Sequence, residues 1–196
     1  MKRRDAIIEA ATCLFAEKGF KETSTAEVAE RSGVAHGTLF YHFKTKEGIL
    51  LNVYEKVADS YFSGLHAALE SAGSGLEAID EAVRFHFRFS RARANEVLVL
   101  MRDFPAQFSA PDFIHRKRVA GKTLRVIKLF RKTLETGMAD GSIRPVAAEE
   151  TAHMLRAMLW GLTRQWMLGP LAVPDLTRET VRFFRNALAA SPSGNE

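Results

Sequence analysis

The chain has 196 residues, 46% hydrophobic and 26% charged, with a formal net charge of +5, enough apolar material for one domain of ordinary size with a small one beside it. A lone cysteine, Cys13, excludes an intramolecular disulfide, and its setting among Ala10, Ala11, Leu14 and Phe15 reads as that of a small buried hydrophobe. No apolar run approaches a membrane span, and the basic start Met1-Lys2-Arg3-Arg4 leads into an amphipathic helix rather than an apolar signal region, so a soluble, cytoplasmic protein is expected.

The next punctuation falls at Ser24. Ser24 and Glu27 stand in the capping-box relation, which predicts a helix beginning near Thr25 with Val28 and Ala29 facing inward. Ser32-Gly33 supplies a stop in which glycine tolerates a left-handed backbone, and Val34 drops into the core at the turn. A second helix over residues 36–43 buries Leu39 and Phe43 and leaves His36, Gly37, Thr38, Phe40, Tyr41 and His42 outside. This is helix-turn-helix punctuation, and the outward groups suit the major groove of DNA.

Further helices are expected over residues 46–70, 76–93, 95–104, 113–136, 147–168 and 176–189. The breaks between them are Ser71-Ala72-Gly73-Ser74-Gly75, Pro105, the loop 108–112, Gly137 with the turn 141–145, and Gly169-Pro170 with Pro174. Residues 191–196 should fray, and no segment has the period of a strand, so the chain reads as all-α.

The run Gly-Val-Ala-His-Gly-Thr-Leu-Phe-Tyr-His-Phe-Lys-Thr-Lys-Glu, residues 33–47, closely resembles the signature of the TetR family of bacterial transcriptional regulators. The resemblance covers about residues 5–55, with Ile8-Glu9-Ala10-Ala11 and Leu14-Phe15-Ala16-Glu17-Lys18-Gly19-Phe20 as the family's first helix. It implies an N-terminal three-helix helix-turn-helix DNA-binding domain, residues 1–46, then a helical effector-binding and dimerisation domain, residues 47–190, and a tail, 191–196. Carried over residue by residue, Thr25 matches a phosphate-contacting position, while His36, Gly37 and Thr38 match positions facing base edges or nearby phosphates. Tyr41, His42 and Lys46 match groups that hold the DNA backbone beside the groove. Two positions depart from the pattern: Ala35 stands where serine is usual and cannot cap the recognition helix, and Phe40 stands where tyrosine is usual and cannot donate to phosphate.

Charge is distributed unevenly. Residues 1–81 hold 9 lysines and arginines against 13 carboxylates, residues 82–132 hold 13 against 3, and residues 133–196 hold 6 against 7. The reading head therefore relies on a few placed cations, such as Arg3, Arg4, Lys44 and Lys46, rather than on a broad positive field. Three readings of the basic middle stay open. Arg116, Lys117, Arg118, Lys122, Arg125, Lys128, Arg131 and Lys132 can be the solvated face of a helix whose apolar stripe is Val119, Thr123, Ile127, Phe130 and Leu134. Part of the surface, with Arg84, Arg88, Arg91 or Arg93, can attract an acidic effector such as an acyl-coenzyme A or a carboxylate. It can also add attraction to DNA phosphates.

The resemblance implies a cavity among the C-terminal helices for a small hydrophobic or amphipathic effector. Its candidate lining is Phe85, Phe89, Met101, Phe104, Phe108, Met154 and Met158, with Phe113 and Trp166 of the same composition. His86 and His153 are isolated and lack metal-ligand spacing, and no metal or cofactor is expected. Leu155, Leu162 and Trp166 on one late helix, with Gly161 allowing close approach, and Val181, Phe184 and Leu188 on the last, are expected to make a homodimer interface. A twofold dimer suits a palindromic operator. No nucleophile–base pair, metal cluster or phosphate-cradling loop points to an enzyme. The function expected is that of a transcriptional repressor released by its effector, the alternatives being an architectural DNA-binding protein without an effector, or an activator.

Overall fold

The computed structural model describes residues 3–103, 116–170, 172 and 174–190. Among them are α1 (Arg3–Lys18), α2 (Thr25–Ser32), α3 (His36–Phe43), α4 (Lys46–Glu70), α5 (Gly75–Ala92), α6 (Ala94–Arg102), α7 (Arg116–Ala139), α8 (Ala148–Leu168) and α9 (Thr177–Leu188). The all-helical expectation holds. The described residues contain no strand, only an isolated antiparallel bridge between Ile143 and Ala189.

The helices gather into two compact units, residues 1–60 with 93–117 and residues 61–92 with 118–196. This division differs from a boundary at residue 46, because α6 packs on α1 and joins the head. Val97, Val99, Leu100 and Met101 of α6 are buried, and the Arg102 guanidinium donates to the carbonyls of Phe15 and Ala16 near the end of α1. A cation there meets the negative end of the helix.

In the second unit, one core joins Leu65, Ile79, Val83, Phe130, Leu134, Leu155, Leu159 and Phe184. The expectation that Gly137 ends its helix is corrected: α7 runs on to Ala139 and the chain turns at Gly141, φ +78°. Gly137 serves close approach instead. A Cβ on Gly75 would lie 2.2 Å from the Cα of Gly137, and one on Gly137 would lie 2.5 Å from Ile143 Cδ1. This contact brings the turn after α7 to the start of α5, where Asp140 and Ser142 accept the Gly75 and Leu76 amides at 2.8 and 3.1 Å. The Gly75 amide and Ser142 hold the Asp140 carboxyl below the usual carboxylate range, with the Ser142 side chain contributing most.

Candidate nucleic-acid interface

The turn between α2 and α3 is built as its residues require. Ser24 accepts from the Glu27 amide at 3.2 Å, and Glu27 Oε2 accepts from the Ser24 amide at 2.8 Å, completing the capping box. The Lys18 ammonium, followed by Ser24, holds the Glu27 carboxyl down to about 2. Gly33 takes the left-handed conformation, φ +67°, and the amides of Gly33 and Val34 return to Glu30 and Ala29. Arg31 makes a two-pronged pair with Glu17, both contacts at 2.7 Å, tying α2 to α1.

The recognition helix α3 buries Leu39 and Phe43 and exposes His36, Gly37, Phe40, Tyr41 and His42, with Thr38 half-buried. Tyr41 is 79% exposed, which excludes a core role for it. Its neighbour His42 lies edge-on to it, ring centroids 5.3 Å apart. Ala35 gives α3 no side-chain cap, so the amides at its start have no hydroxyl partner from that residue. Thr25 Oγ1 stands 3.1 Å from His36 Nε2, while the Phe40 ring meets the His36 ring edge-on at 4.8 Å. Thr25 and Phe40 therefore fix the imidazole. Phe40 replaces a phosphate donor with a support for His36, a role hidden in the sequence because it needs the i,i+4 register realised.

The junction from α3 to α4 is tight. Lys44 has φ +62° and ψ −49°, and the Thr45 amide returns to the Phe43 carbonyl at 2.6 Å, a three-residue γ-turn of the strained positive-φ kind. Gly48 is needed beside it, since a Cβ there would lie 2.3 Å from the Phe43 carbonyl oxygen. Arg4 reaches the same place, its guanidinium 5.6 Å from the Phe43 ring centroid and bonded to Asn52.

Lys46 departs from its expected role on the DNA backbone. Its ammonium donates to the carbonyls of Phe20 at 2.8 Å, Thr23 at 2.8 Å and Lys21 at 3.3 Å, and lies 4.5 Å from the Phe20 ring centroid. An ammonium has three N–H donors, and three carbonyls face it. Lys46 fastens α4 to the loop that launches α2.

Of the residues expected to line an effector cavity, Phe85 belongs to the core of the second unit, and Phe89 and Met158 pack against that core. Phe85 is buried and Phe89 half-buried in the second unit, where both rings pack on Tyr61. Met101 is buried in the first unit, Met158 is half-buried, and Met154 is 66% exposed. Phe104, Phe108 and Phe113 lie outside the described residues. Beside Phe85 lies a polar chain that residue spacing could not reveal. His86, fully buried, meets Tyr61 Oη through Nδ1 at 2.9 Å, and meets Thr163 Oγ1 at 2.8 Å and the Leu159 carbonyl at 3.1 Å through Nε2. Burial lowers the His86 pKa to about 4 and raises that of Tyr61. His86 is thus a satisfied core histidine, with Nε2–H donating and Nδ1 accepting from the tyrosine.

The expected dimer stripes are corrected as well. Leu155, Val181, Phe184 and Leu188 are buried within the chain's own core, where α5 packs against both α9 and α8. The arginine at 185 seals this packing by donating to the buried Asp80 carboxylate. Trp166 and Met154 are exposed on α8, while Leu162 and Met158 of the same row are half-buried against that core. Gly161 has nothing within 4 Å of its Cβ position, and Phe183 is the exposed aromatic of α9. Of the basic middle, Lys117, Arg118, Arg125, Lys128, Arg131 and Lys132 are exposed and Lys122 half-buried, as a solvated face requires. Arg131 pairs with Glu135 and Glu149, and Arg125 stacks on Phe62. Among the described residues no group of histidine, cysteine and carboxylates could hold a metal ion, and no helix is long and apolar enough to cross a membrane.

Residues 7–53 match the family described as bacterial regulatory proteins, tetR family. The HTH-type transcriptional repressor KstR2 of Mycolicibacterium smegmatis is 26% identical over 181 residues, 90% of this chain and 86% of its own length. A putative transcriptional regulator from Saccharomonospora viridis, solved in complex with choline, superposes with a TM-score of 0.83 at 23% identity over 96% of this chain and 98% of its own. The transcriptional regulator FadR from Bacillus subtilis, solved in complex with stearoyl-CoA, gives 0.79 at 18% identity over 91% and 96%. Both structures share the helical fold that follows the reading head. Residues 7–53 thus carry the head of the tetR family of bacterial regulatory proteins, and along nearly its whole length the chain is similar to HTH-type transcriptional regulators and shares their helical fold.

Proposed function

We propose that this chain is a homodimeric transcriptional repressor that leaves a palindromic operator when its helical body takes up an amphipathic acyl-coenzyme A. The observation that carries the DNA-reading part is the outward row His36, Phe40 and Tyr41 standing over buried Leu39 and Phe43, with Thr25 of α2 holding His36. In this reading Tyr41 and His42 hold the backbone, Thr25 lies at a phosphate, and His36, Gly37 and Thr38 face base edges. Lys46 works behind them by fixing where α2 begins.

The palindrome requires two recognition helices about 34–36 Å apart, or a multiple of that, and therefore a dimer. The row Met154, Met158, Leu162 and Trp166, together with Phe183, is the apolar surface proposed to pair with its copy. Charge favours an anionic effector over a quaternary ammonium such as the choline bound by the regulator from Saccharomonospora viridis. Residues 82–132 carry 13 lysines and arginines against 3 carboxylates, whereas the segments on either side are each net negative, and stearoyl-CoA bound by the Bacillus subtilis regulator is the chemistry such a body would attract. The effector acts only through its differential affinity for the two forms, shifting α4, which begins at Lys46 and belongs to both units.

The test is selection of bound DNA from random sequence, followed by titration of the complex with stearoyl-CoA. A palindrome should be recovered and released. Recovery of no common sequence would leave an architectural role, and tight acyl-CoA binding without any change in operator affinity would sink the inducer assignment.

A further inference from the structure

Arg84, Arg88 and Arg91 recur at four and three residues along α5, and all three are exposed. Seven residues of helix span about 10 Å, so the three guanidiniums stand in one short row. They line a single open groove of about 590 Å³ together with Ala92 and Thr177, and no carboxylate is among the lining residues. Arg91 is held at the groove's end by Asp175 at 3.1 Å and by the Thr177 hydroxyl at 3.3 Å. Arg84 reaches Glu81 at 3.5 Å, and Arg88 has no ion-pair partner among the described residues. Solvation of the α7 cations does not account for this row. On α7, Arg131 meets two carboxylates, whereas here three guanidiniums face one recess. Like charges on one helix face oppose one another until an anion lies between them. A single carboxylate satisfies one guanidinium fork, whereas several phosphates on one ligand engage the whole row.

We propose that Arg84, Arg88 and Arg91 form a binding site for the clustered phosphates of a coenzyme A-type ligand. This rests on the acyl-coenzyme A reading of the effector and assigns to α5 the part of that ligand which the acyl chain does not supply. Recognition of the phosphates and recognition of the chain are then separable.

The experiment uses the full-length protein and the triple variant Arg84→Gln, Arg88→Gln, Arg91→Gln, with Arg88→Gln alone as a milder change that spares the Arg91–Asp175 pair. Each is titrated calorimetrically with free coenzyme A, with stearoyl-CoA, and with the same acyl chain on pantetheine, which lacks the phosphates. Coenzyme A and stearoyl-CoA should bind the triple variant at least about tenfold more weakly than the wild type, and the wild-type affinity should fall with added salt. The pantetheine compound should bind both proteins alike. Equal coenzyme A affinity in the two proteins, or no coenzyme A binding to the wild type, overturns the site. So does a variant that loses affinity for DNA of any sequence while keeping coenzyme A, since the row then serves DNA phosphates. Operator release by stearoyl-CoA is measured alongside: its absence with phosphate binding intact strikes the effector reading alone, and its presence with unchanged affinity in the variant strikes this site alone.

Discussion

Lys46 holds its ammonium 4.5 Å from the Phe20 ring centroid while donating to the Phe20 carbonyl at 2.8 Å. The first residue of α4 is thereby locked to the loop preceding α2, and Thr23, whose carbonyl also accepts from Lys46, anchors that loop through its own hydroxyl to Gly19. A shift of α4 would be felt at Ser24 and Thr25, and from Thr25 at His36.

Replacing Lys46 with methionine keeps the apolar stem and removes the three charged donors. Stability should fall by about 2 kcal/mol, the scale of hydrogen bonds to a charged group, measured by denaturant unfolding. Operator affinity should fall with it, but its dependence on salt should not change. A variant of unaltered stability whose logarithmic salt slope is shallower by about 1 would instead return Lys46 to the phosphates.

On the recognition helix the two kinds of contact should separate. Tyr41→Phe should weaken binding to all sequences by about tenfold, the loss of one hydrogen bond to charged phosphate. His36→Ala and Thr38→Ala should change the recovered operator, and Thr25→Val, by releasing the imidazole, should relax preference at the position His36 reads. Repeating the selection with each variant checks this, and identical sequence logos from all of them would reject the division of roles.

The buried chain Tyr61–His86–Thr163 predicts an acid response. His86 titrates near 6.5 in the unfolded chain and at about 4 in the folded one, so the unfolded state binds its proton first as pH falls. Its contribution is complete above pH 6.5, and about 3 kcal/mol is lost by pH 4. His86→Gln should be less stable at pH 8 yet show a shallower decline between those values, read from unfolding midpoints across pH. Tyr61→Phe should cost about 1–3 kcal/mol by leaving Nδ1 without a donor, whereas Thr163→Val should cost less because the Leu159 carbonyl still accepts from Nε2.

The reading head was legible because its signals are local. Ser24 with Glu27 and Gly33 act over three or four residues, and the structure places caps and turn where that spacing puts them. Lys46 was legible as a cation near the groove but not as a fastener, since Phe20 and Thr23 lie more than twenty residues away in the chain. The same distance hid His86, whose partners stand 25 and 77 residues from it. Gly137 looked like a stop because a helical glycine and a terminal one are written alike, and only the approach of Gly75 tells them apart. The stripe Val181, Phe184 and Leu188 has the periodicity of any buried face, and periodicity does not say whether α5 of the same chain or a second copy covers it.

That last ambiguity yields a sharp contrast between two apolar substitutions. Phe184 is buried in the protomer's own core, so Phe184→Asp places an unpaired charge there and should unfold the chain. Met154 and Trp166 are exposed on α8, so Met154→Glu with Trp166→Glu should leave a folded protomer of native helicity. That protomer should sediment as a monomer, its dimer dissociation constant raised at least about a hundredfold, and it should lose operator affinity although no residue of α2 or α3 has changed. Gly161→Ala adds the control: with open space at its Cβ in the protomer, alanine should stabilise the monomeric double variant by about 0.5–1 kcal/mol through helix propensity. In the otherwise unaltered chain it should do so only if no partner backbone approaches. A double glutamate variant that still sediments as a dimer on its operator would move the interface off the outer row of α8.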